Sequence, residues 1–461
     1  MKNLRKNFVK GHIKEITILV SILFLVLALS MVSFSQTLEE KVDEYINPHI
    51  QMEKFSGSIL IAQKGEILLI KGYGMANYEH NVPNTPHTKF RMGSLTKQFT
   101  AMAIMQLQEK GLLNVEDPII KYFPDYPEAG KIITIHHLLT HTSGIPSFTG
   151  FPDFQKTSMM PSSLEETIAR FKDKALEFTP GEKYNYSNSG YILLGAIIEK
   201  VSGQSYEMFL KENIFQPLKM MNTGYDHHST ILKDRAAGYC LSNEGLINTA
   251  YNDMSIPHAA GSLYTTVEDL YLWDRALYTE KLVKKSSLDK IFTPFMGNYG
   301  YGWRIGDSFN RKVVAHSGGI NGFTTRIARY LDDEVCVIVL INIEGIGVGD
   351  IARDLAAIVF GEKYEILQVR LLIEIDSKIY DSYIGEYELM PNFIVTITTE
   401  NNRIFAQATG QNKFEIYPES EMKFFLKAFD AQVTFIKNEQ GKVTEFIWHQ
   451  AGRDIPAKKI K

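Results

Sequence analysis

Apolar and polar positions divide the chain into three regimes. Residues 16–34 are almost continuously apolar, the long middle mixes helical with strand-like spacing, and the last eighty or so residues shorten into brief alternating runs. In the middle regime, 57–62 and 67–73 flank Lys64-Gly65 and read as a β-hairpin. The nearly unbroken apolar segment 99–107 predicts a buried helix ending near Gly111. A short amphipathic segment over 38–46, a helix over 163–171, and apolar helices over 191–201, 206–214 and 267–277 follow from the same spacing. Thr266 is placed to cap the last of these, with Glu268 and Asp269 in its first turn.

Strand signals then cluster at 299–305, 312–317, 323–330 and 335–341. Asp332-Asp333-Glu334 supplies a turn between the last two, which predicts an antiparallel sheet. The stretch 347–360 reads as a helix returning onto that sheet. Over 364–378 the pattern turns charged and irregular and marks a domain boundary. Beyond it, runs at 394–398, 404–408, 424–426, 433–436 and 443–448 are separated by Asn401-Asn402, Gly410 and Gly441, the rhythm of a small antiparallel barrel or sandwich. The expected fold class is α+β: an antiparallel sheet flanked by helices with an all-helical region, then a small antiparallel β-barrel. The domains fall at 37–363 and 379–461.

Composition changes this picture only at the N-terminus. With 461 residues, 44% hydrophobic and 22% charged, the chain is an ordinary globular protein with ample core. Lys2, Arg5, Lys6, Lys10 and Lys14 precede the first apolar run, and Ser33 and Ser35 suit signal-peptidase cleavage after Ser35. The run also reaches membrane-span length, so 1–35 reads as a signal peptide or a retained N-terminal membrane anchor. Either reading exports the body, because Glu39, Glu40 and Asp43 follow the run and the basic residues precede it. The protein would then be periplasmic or anchored to the outer face of the cytoplasmic membrane. The net charge of −4 becomes more negative once the basic leader is removed, which excludes nucleic acid as a partner. Cys240 and Cys336 do not make a disulfide scaffold, and Cys336 reads as a small buried residue.

Candidate chemistry begins at Gly93-Ser94-Leu95-Thr96-Lys97, running into the apolar helix. Residues three apart share a helix face, so the Lys97 amine can reach the Ser94 hydroxyl, and an adjacent base is what a serine nucleophile requires. Ser-x-x-Lys recurs at Ser287 to Lys290 and Ser420 to Lys423, but only Ser94 opens a long apolar helix. Taken alone, Ser94 reads equally as an N-cap. Tyr186-Ser187-Asn188 follows the Pro180-Gly181 turn and precedes a buried helix. Tyr45-Ile46-Asn47 matches Tyr-x-Asn too, and reads as a surface turn. His316-Ser317-Gly318-Gly319 ends a strand, where glycines admit close approach of another backbone. His137 and His141 stand four apart, as zinc-binding helical pairs do. Leu138 occupies the place where a metalloprotease needs glutamate, and His227-His228 has no third ligand nearby. The reading for 134–144 is therefore a short helix capped by Thr134, packing Leu138 and Leu139 inward and ending at Gly144. No metal site is expected.

The Ser94, Tyr186 and His316 motifs, in that order, resemble the serine β-lactamase and penicillin-binding protein-like hydrolases, in the β-lactamase-related branch with class C-like architecture. The resemblance spans roughly 40–360 and extends to the segments 137–144, 178–202 and 261–277. It implies that Ser94 forms an acyl-enzyme, that Lys97 and Tyr186 move its proton, with Tyr186 as phenolate or proton shuttle, and that Asn188 holds Lys97 and the substrate carbonyl. It further implies an oxyanion hole from the backbone N–H groups of Ser94 and Gly319. Ser317 and Gly318 would line the substrate with Gly319. His316 stands where antibiotic-hydrolysing members carry lysine, and a largely neutral imidazole argues against efficient β-lactam hydrolysis. The C-terminal barrel resembles lipocalin-like accessory domains, which shield, pair or shape a cleft. The expected protein is an exported serine hydrolase of small esters or of peptide or amide substrates, D-amino-acid ones included, needing no cofactor. The alternatives are a β-lactamase or D,D-peptidase, and an acylatable penicillin-binding-like sensor or scaffold. Expected partners are the small-molecule substrate, the membrane through 1–35, and further copies of the chain through the C-terminal domain.

Overall fold

A computed structural model describes residues 36–242, 245–369, 372–427, 431–450 and 453–461. The expected leader at 1–35 lies outside the described residues. Among the described residues no helix is long and apolar enough to cross a membrane.

The chain enters through helix α1 (Leu38–Gln51), started by a capping box in which Thr37 accepts the Glu40 N–H and Glu40 accepts the Thr37 N–H. The helix outruns the segment expected over 38–46. Its stripe Val42, Tyr45 and Ile46 is buried, and the Tyr45 hydroxyl donates to Asp354 Oδ2 at 3.0 Å. Tyr45 therefore belongs to a packed helix and not to the surface turn expected of it. Local spacing around Tyr45-Ile46-Asn47 could not reveal a partner three hundred residues away.

The central sheet has six strands: β1 (Gly57–Gln63), β2 (Glu66–Tyr73), β3 (Arg304–Ser308), β4 (Arg311–Ile320), β5 (Phe323–Tyr330) and β6 (Val335–Ile341). Their order is β3-β4-β5-β6-β1-β2, and every pairing is antiparallel. The N-terminal hairpin thus closes onto the last strand of the domain, with Leu60 opposite Ile338. Strand β6 is buried throughout. Its alternate residues divide between two cores. Val337, Val339 and Ile341 join the layer of α1 and helix α5 (Val348–Phe360), while Cys336, Ile338 and Leu340 join the helical layer on the other side.

That second layer holds α2 (Thr96–Glu109), α3 (Asn188–Ser202) and α4 (Val267–Ala276). Helix α2 is buried from Thr96 to Leu107, and Phe99 packs on Trp273 with ring centroids 4.3 Å apart. Thr266 caps α4 by accepting the Asp269 N–H. A buried ion pair joins α4 to the sheet, with Arg329 Nε donating to Asp274 Oδ1 at 2.6 Å and both side chains 1% exposed. Two expected elements differ. The helix expected over 206–214 is α-helical at Tyr206–Leu210 and continues as a π-helical turn, Lys211–Phe215. The strand expected over 299–305 begins only at Arg304, because Gly300 and Gly302 form a turn. A Cβ on Gly300 would lie 2.3 Å from the Ile291 carbonyl, and Gly302, at φ +78°, is pressed against the Lys97 carbonyl.

The C-terminal region is a closed eight-stranded antiparallel barrel: β7 (Gly385–Met390), β8 (Phe393–Glu400), β9 (Arg403–Ala408), β10 (Lys413–Pro418), β11 (Lys423–Leu426), β12 (Ala431–Lys437), β13 (Val443–Gln450) and β14 (Arg453–Lys459). Closure is made by β14 on β7, with Tyr387 opposite Lys459.

Candidate active site

Ser94 lies in a single 3-10 turn, Gly93–Leu95, that leads into α2. The end of β4 is pressed onto this turn, backbone to backbone. A Cβ on Gly93 (φ +51°) would stand 2.9 Å from the Gly319 nitrogen, and one on Gly318 would stand 2.0 Å from the Met92 carbonyl. Thr325, beside Gly318 on β5, donates its hydroxyl to that same Met92 carbonyl at 2.8 Å. Glycine is thus required on both sides of the contact, whereas a Cβ on Gly319 would meet open space.

Lys97 sits one turn on and is fully buried. Its amine has three neighbours: Asn188 Oδ1 at 2.8 Å, the Ala260 carbonyl at 2.8 Å and Ser94 Oγ at 3.0 Å. The first two can only accept, so they take two of the amine's hydrogens. The third direction faces the Ser94 hydroxyl, which can either accept a hydrogen of an ammonium or give its proton to the lone pair of a neutral amine. Burial pushes the Lys97 pKa well below the ordinary lysine value and favours the second arrangement. Asn188 is in turn oriented by donating Nδ2–H to Thr149 Oγ1 at 3.0 Å.

Tyr186, half-buried, faces Ser94 with its phenol, and the Lys97 amine lies 4.9 Å from its ring centroid. Burial raises the phenol pKa, so Tyr186 rests protonated. Its ring is walled by His141, at 4.1 Å between centroids, and by Tyr299, at 6.3 Å. His316 lies beyond them, on β4. Its Nδ1–H donates to the Ser317 carbonyl at 2.7 Å, and its Nε2 accepts from the Tyr299 hydroxyl at 2.8 Å. Burial, with the Lys97 and Arg304 charges added, pushes its pKa down to about 3, so the ring is neutral. Arg304 is exposed at the rim and donates to the Tyr184 hydroxyl at 3.0 Å.

The structure therefore brings Ser94, Lys97, Tyr186, Asn188, His316, Gly318 and Gly319 to one place. The Ser317 side chain points elsewhere: it accepts from Arg326 Nη1 at 2.8 Å, as strand alternation turns it to the opposite face of the sheet from His316. The two other Ser-x-x-Lys pairs do not form sites. Ser287 donates to Glu109, and Ser420 accepts the backbone N–H of Lys423. The short helix expected to reach Gly144 stops at Leu139, since His141 takes φ +59°. His137 turns back to accept the Thr134 N–H, so it diverges from His141. Three site neighbours, Tyr299, Arg304 and the Ala260 carbonyl, are not singled out by motif reasoning, and a fourth, His141, was weighed only as a metal ligand. His141 lay within a histidine-rich run whose spacing pointed towards metal, and a backbone carbonyl leaves no signature in sequence.

A family model described as Beta-lactamase matches residues 39–360. A second, described as Domain of unknown function (DUF3471), matches 370–459. The chain is 33% identical over 438 residues to Penicillin-binding protein 4* of Bacillus subtilis (strain 168), covering 89% of this chain and 96% of that protein. It is 27% identical over 320 residues to Teichoic acid D-alanine hydrolase of Staphylococcus aureus, covering 66% and 74%. Among solved structures, it resembles an octameric penicillin-binding protein homologue from Pyrococcus abyssi at 29% identity and a TM-score of 0.67, covering 91% of this chain and 99% of that one.

Proposed function

The chain belongs to the beta-lactamase family of serine hydrolases, and from that premise we propose that Ser94 is its nucleophile, acting on carboxylic esters or on amides of D-amino acids. The observation that carries this is the Lys97 amine, whose two carbonyl-type acceptors leave its lone pair for the Ser94 proton. Ser94 Oγ attacks the substrate carbonyl as its proton passes to Lys97 Nζ, forming the C–O bond of a tetrahedral oxyanion held by the backbone N–H groups of Ser94 and Gly319. Collapse breaks the ester C–O or amide C–N bond. The leaving group takes a proton through the Tyr186 phenol, which Lys97 replenishes. Water then attacks the acyl-enzyme by the same route in reverse, restoring Ser94. A protonated Tyr186 suits a proton shuttle better than a resting phenolate.

The acyl group is supported by one relative, a teichoic acid D-alanine hydrolase, which points to D-alanyl chemistry. That relative and the penicillin-binding protein support a place outside the cytoplasm, in line with the basic and apolar leader at 1–35. An octameric homologue supports self-association of this chain. The test is Ser94→Ala with a nitrophenyl acetate: turnover should fall to background at an unchanged circular dichroism spectrum, and undiminished turnover would sink the assignment.

A second reading, D,D-peptidase or β-lactamase, is favoured by the 33% identity to a penicillin-binding protein. The neutral His316 weighs against it, since it offers no charge to a β-lactam carboxylate. Steady-state hydrolysis of a cephalosporin at a specificity constant above that for simple esters would reverse the order of the two readings.

A further inference from the structure

Tyr186 is asked to pass a proton, yet it stands in a loop that only becomes helical two residues later, and a tyrosine there has two soft side-chain torsions. One residue restrains it. His141 is 1% exposed, and its backbone and its ring both face the Tyr186 segment. The His141 carbonyl accepts the Asn185 N–H at 2.9 Å, and His141 Nδ1 accepts the Ser187 N–H at 3.1 Å. Between these two bonds, the imidazole lies against the Tyr186 ring with centroids 4.1 Å apart and planes at 36°. The backbone N–H groups of the residues before and after Tyr186 and one face of its ring are thus held by a single residue, through its carbonyl and its imidazole.

The chemistry of the ring excludes more familiar roles. Because Nδ1 accepts from Ser187, the proton of the neutral imidazole sits on Nε2, and Nε2 is buried with no hydrogen-bond partner among the described residues. Its surroundings are aromatic: Tyr191 and Tyr299 lie 5.1 and 4.7 Å away, and Tyr184 lies 6.1 Å away. The charged or titratable groups that act on it are Lys97, His316 and Arg304, which with burial keep it uncharged. It has no free lone pair to serve as a base. A purely apolar ring would fill this box without stranding a donor, but it would leave the Ser187 N–H unpaired. The nitrogen that accepts from Ser187 is the reason for a histidine here.

We infer that His141 is the positioning residue of the proton relay, holding the Tyr186 phenol at Ser94 and Lys97 through the Ser187 N–H to Nδ1 hydrogen bond and the ring contact. The inference rests on the proposed Ser94, Lys97 and Tyr186 mechanism. It is tested with two variants that both tolerate the left-handed backbone at 141, where φ is +59°. Asparagine places Oδ1 near the Nδ1 position and keeps the acceptor, whereas glycine removes it.

Nitrophenyl acetate kinetics on the full chain should show kcat of His141→Gly lowered about 100-fold with KM within about threefold of wild type, and kcat of His141→Asn recovered to within about tenfold of wild type. Melting temperatures measured in parallel separate positioning from folding. A His141→Gly enzyme with kcat within threefold of wild type would overturn the inference. So would equal losses in the two variants that follow their losses in melting temperature, because that is the signature of packing alone. If Ser94→Ala is inactive while His141→Gly is unimpaired, only the role of His141 falls. An active Ser94→Ala overturns the mechanism beneath it, and the inference with it.

Discussion

Lowering the pH should destabilise this protein through His316, by an amount that can be worked from the site. The imidazole is 4% exposed, with both nitrogens spent on the Ser317 carbonyl and the Tyr299 hydroxyl, and its pKa is pushed down to about 3 from an ordinary 6.5. The unfolded chain therefore binds a proton on this side chain where the native protein does not. The stability held by the neutral ring is intact above the ordinary pKa and is lost progressively as pH falls towards 3. At pH 4, relative to pH 7, the loss is on the order of 3 kcal/mol, against a total of roughly 5–15 kcal/mol for a typical protein. The assay is thermal unfolding of wild type and His316→Asn at pH 7 and pH 4. Carboxylates titrate in both proteins and cancel in the comparison. Wild type should lose about 3 kcal/mol more than the variant, which corresponds to roughly 4 °C in Tm for a unit of this size. His141, whose pKa burial also depresses, contributes with the same sign in both proteins, and only the smaller part of its shift that comes from His316 enters the difference. Losses in the two proteins that agree within about 0.5 kcal/mol would refute the buried neutral histidine.

Two further outcomes follow from the cleft. Gly318→Ala puts a Cβ 2.0 Å from the Met92 carbonyl and 2.4 Å from Thr325 Oγ1, so β4 must part from the Ser94 turn; ester turnover should fall at least about 100-fold with a lowered Tm, whereas Gly319→Ala, whose Cβ meets open space, should keep the wild-type Tm. Arg304 is the exposed cation at the rim beside a neutral His316, so Arg304→Gln should raise KM about tenfold more for a nitrophenyl ester bearing a carboxylate than for the neutral acetate, and equal changes for the two esters would remove Arg304 from substrate recognition.

Much of the hydrolase fold was legible because its strongest signals are local. The Lys64-Gly65 turn between two apolar runs gave β1 and β2, and the apolar run at 335–341 gave a strand covered on both faces. Ser94 and Lys97 are related by a helical spacing that needs no tertiary knowledge. What was missed depends on distant partners. Gly300 and Gly302 turn the chain against Ile291 and Lys97, which hides the break in a strand-like stretch and carries Tyr299 to His316. His141 matters through residues some forty-five positions on, and Ala260 matters only through its carbonyl. In the barrel, β7, β10 and β14 escaped notice because their alternation is too short to stand out, Tyr387 and Leu389, Phe414 and Ile416, Ile455 and Ala457 being their inward positions, and because β14 carries Pro456.

The barrel's interior bears on what the C-terminal region can contribute. An eight-stranded barrel is just wide enough either to be filled by its own side chains or to hold one small ligand. Here Tyr383 stacks on Phe435 at 4.1 Å, Tyr387 meets Phe446 at 4.7 Å, and Phe424 meets Phe435 at 5.5 Å, with all five rings fully buried. The Tyr383 hydroxyl is spent on the Glu421 carbonyl and that of Tyr387 on the Tyr383 carbonyl, so no polar group is left facing a lumen from these rings. The space a ligand would need is therefore core. Any influence of this domain on hydrolysis has to act from its outer surface, where Leu372, Met390 and Ile460 are 55%, 51% and 51% exposed, by covering a cleft or by joining copies of the chain.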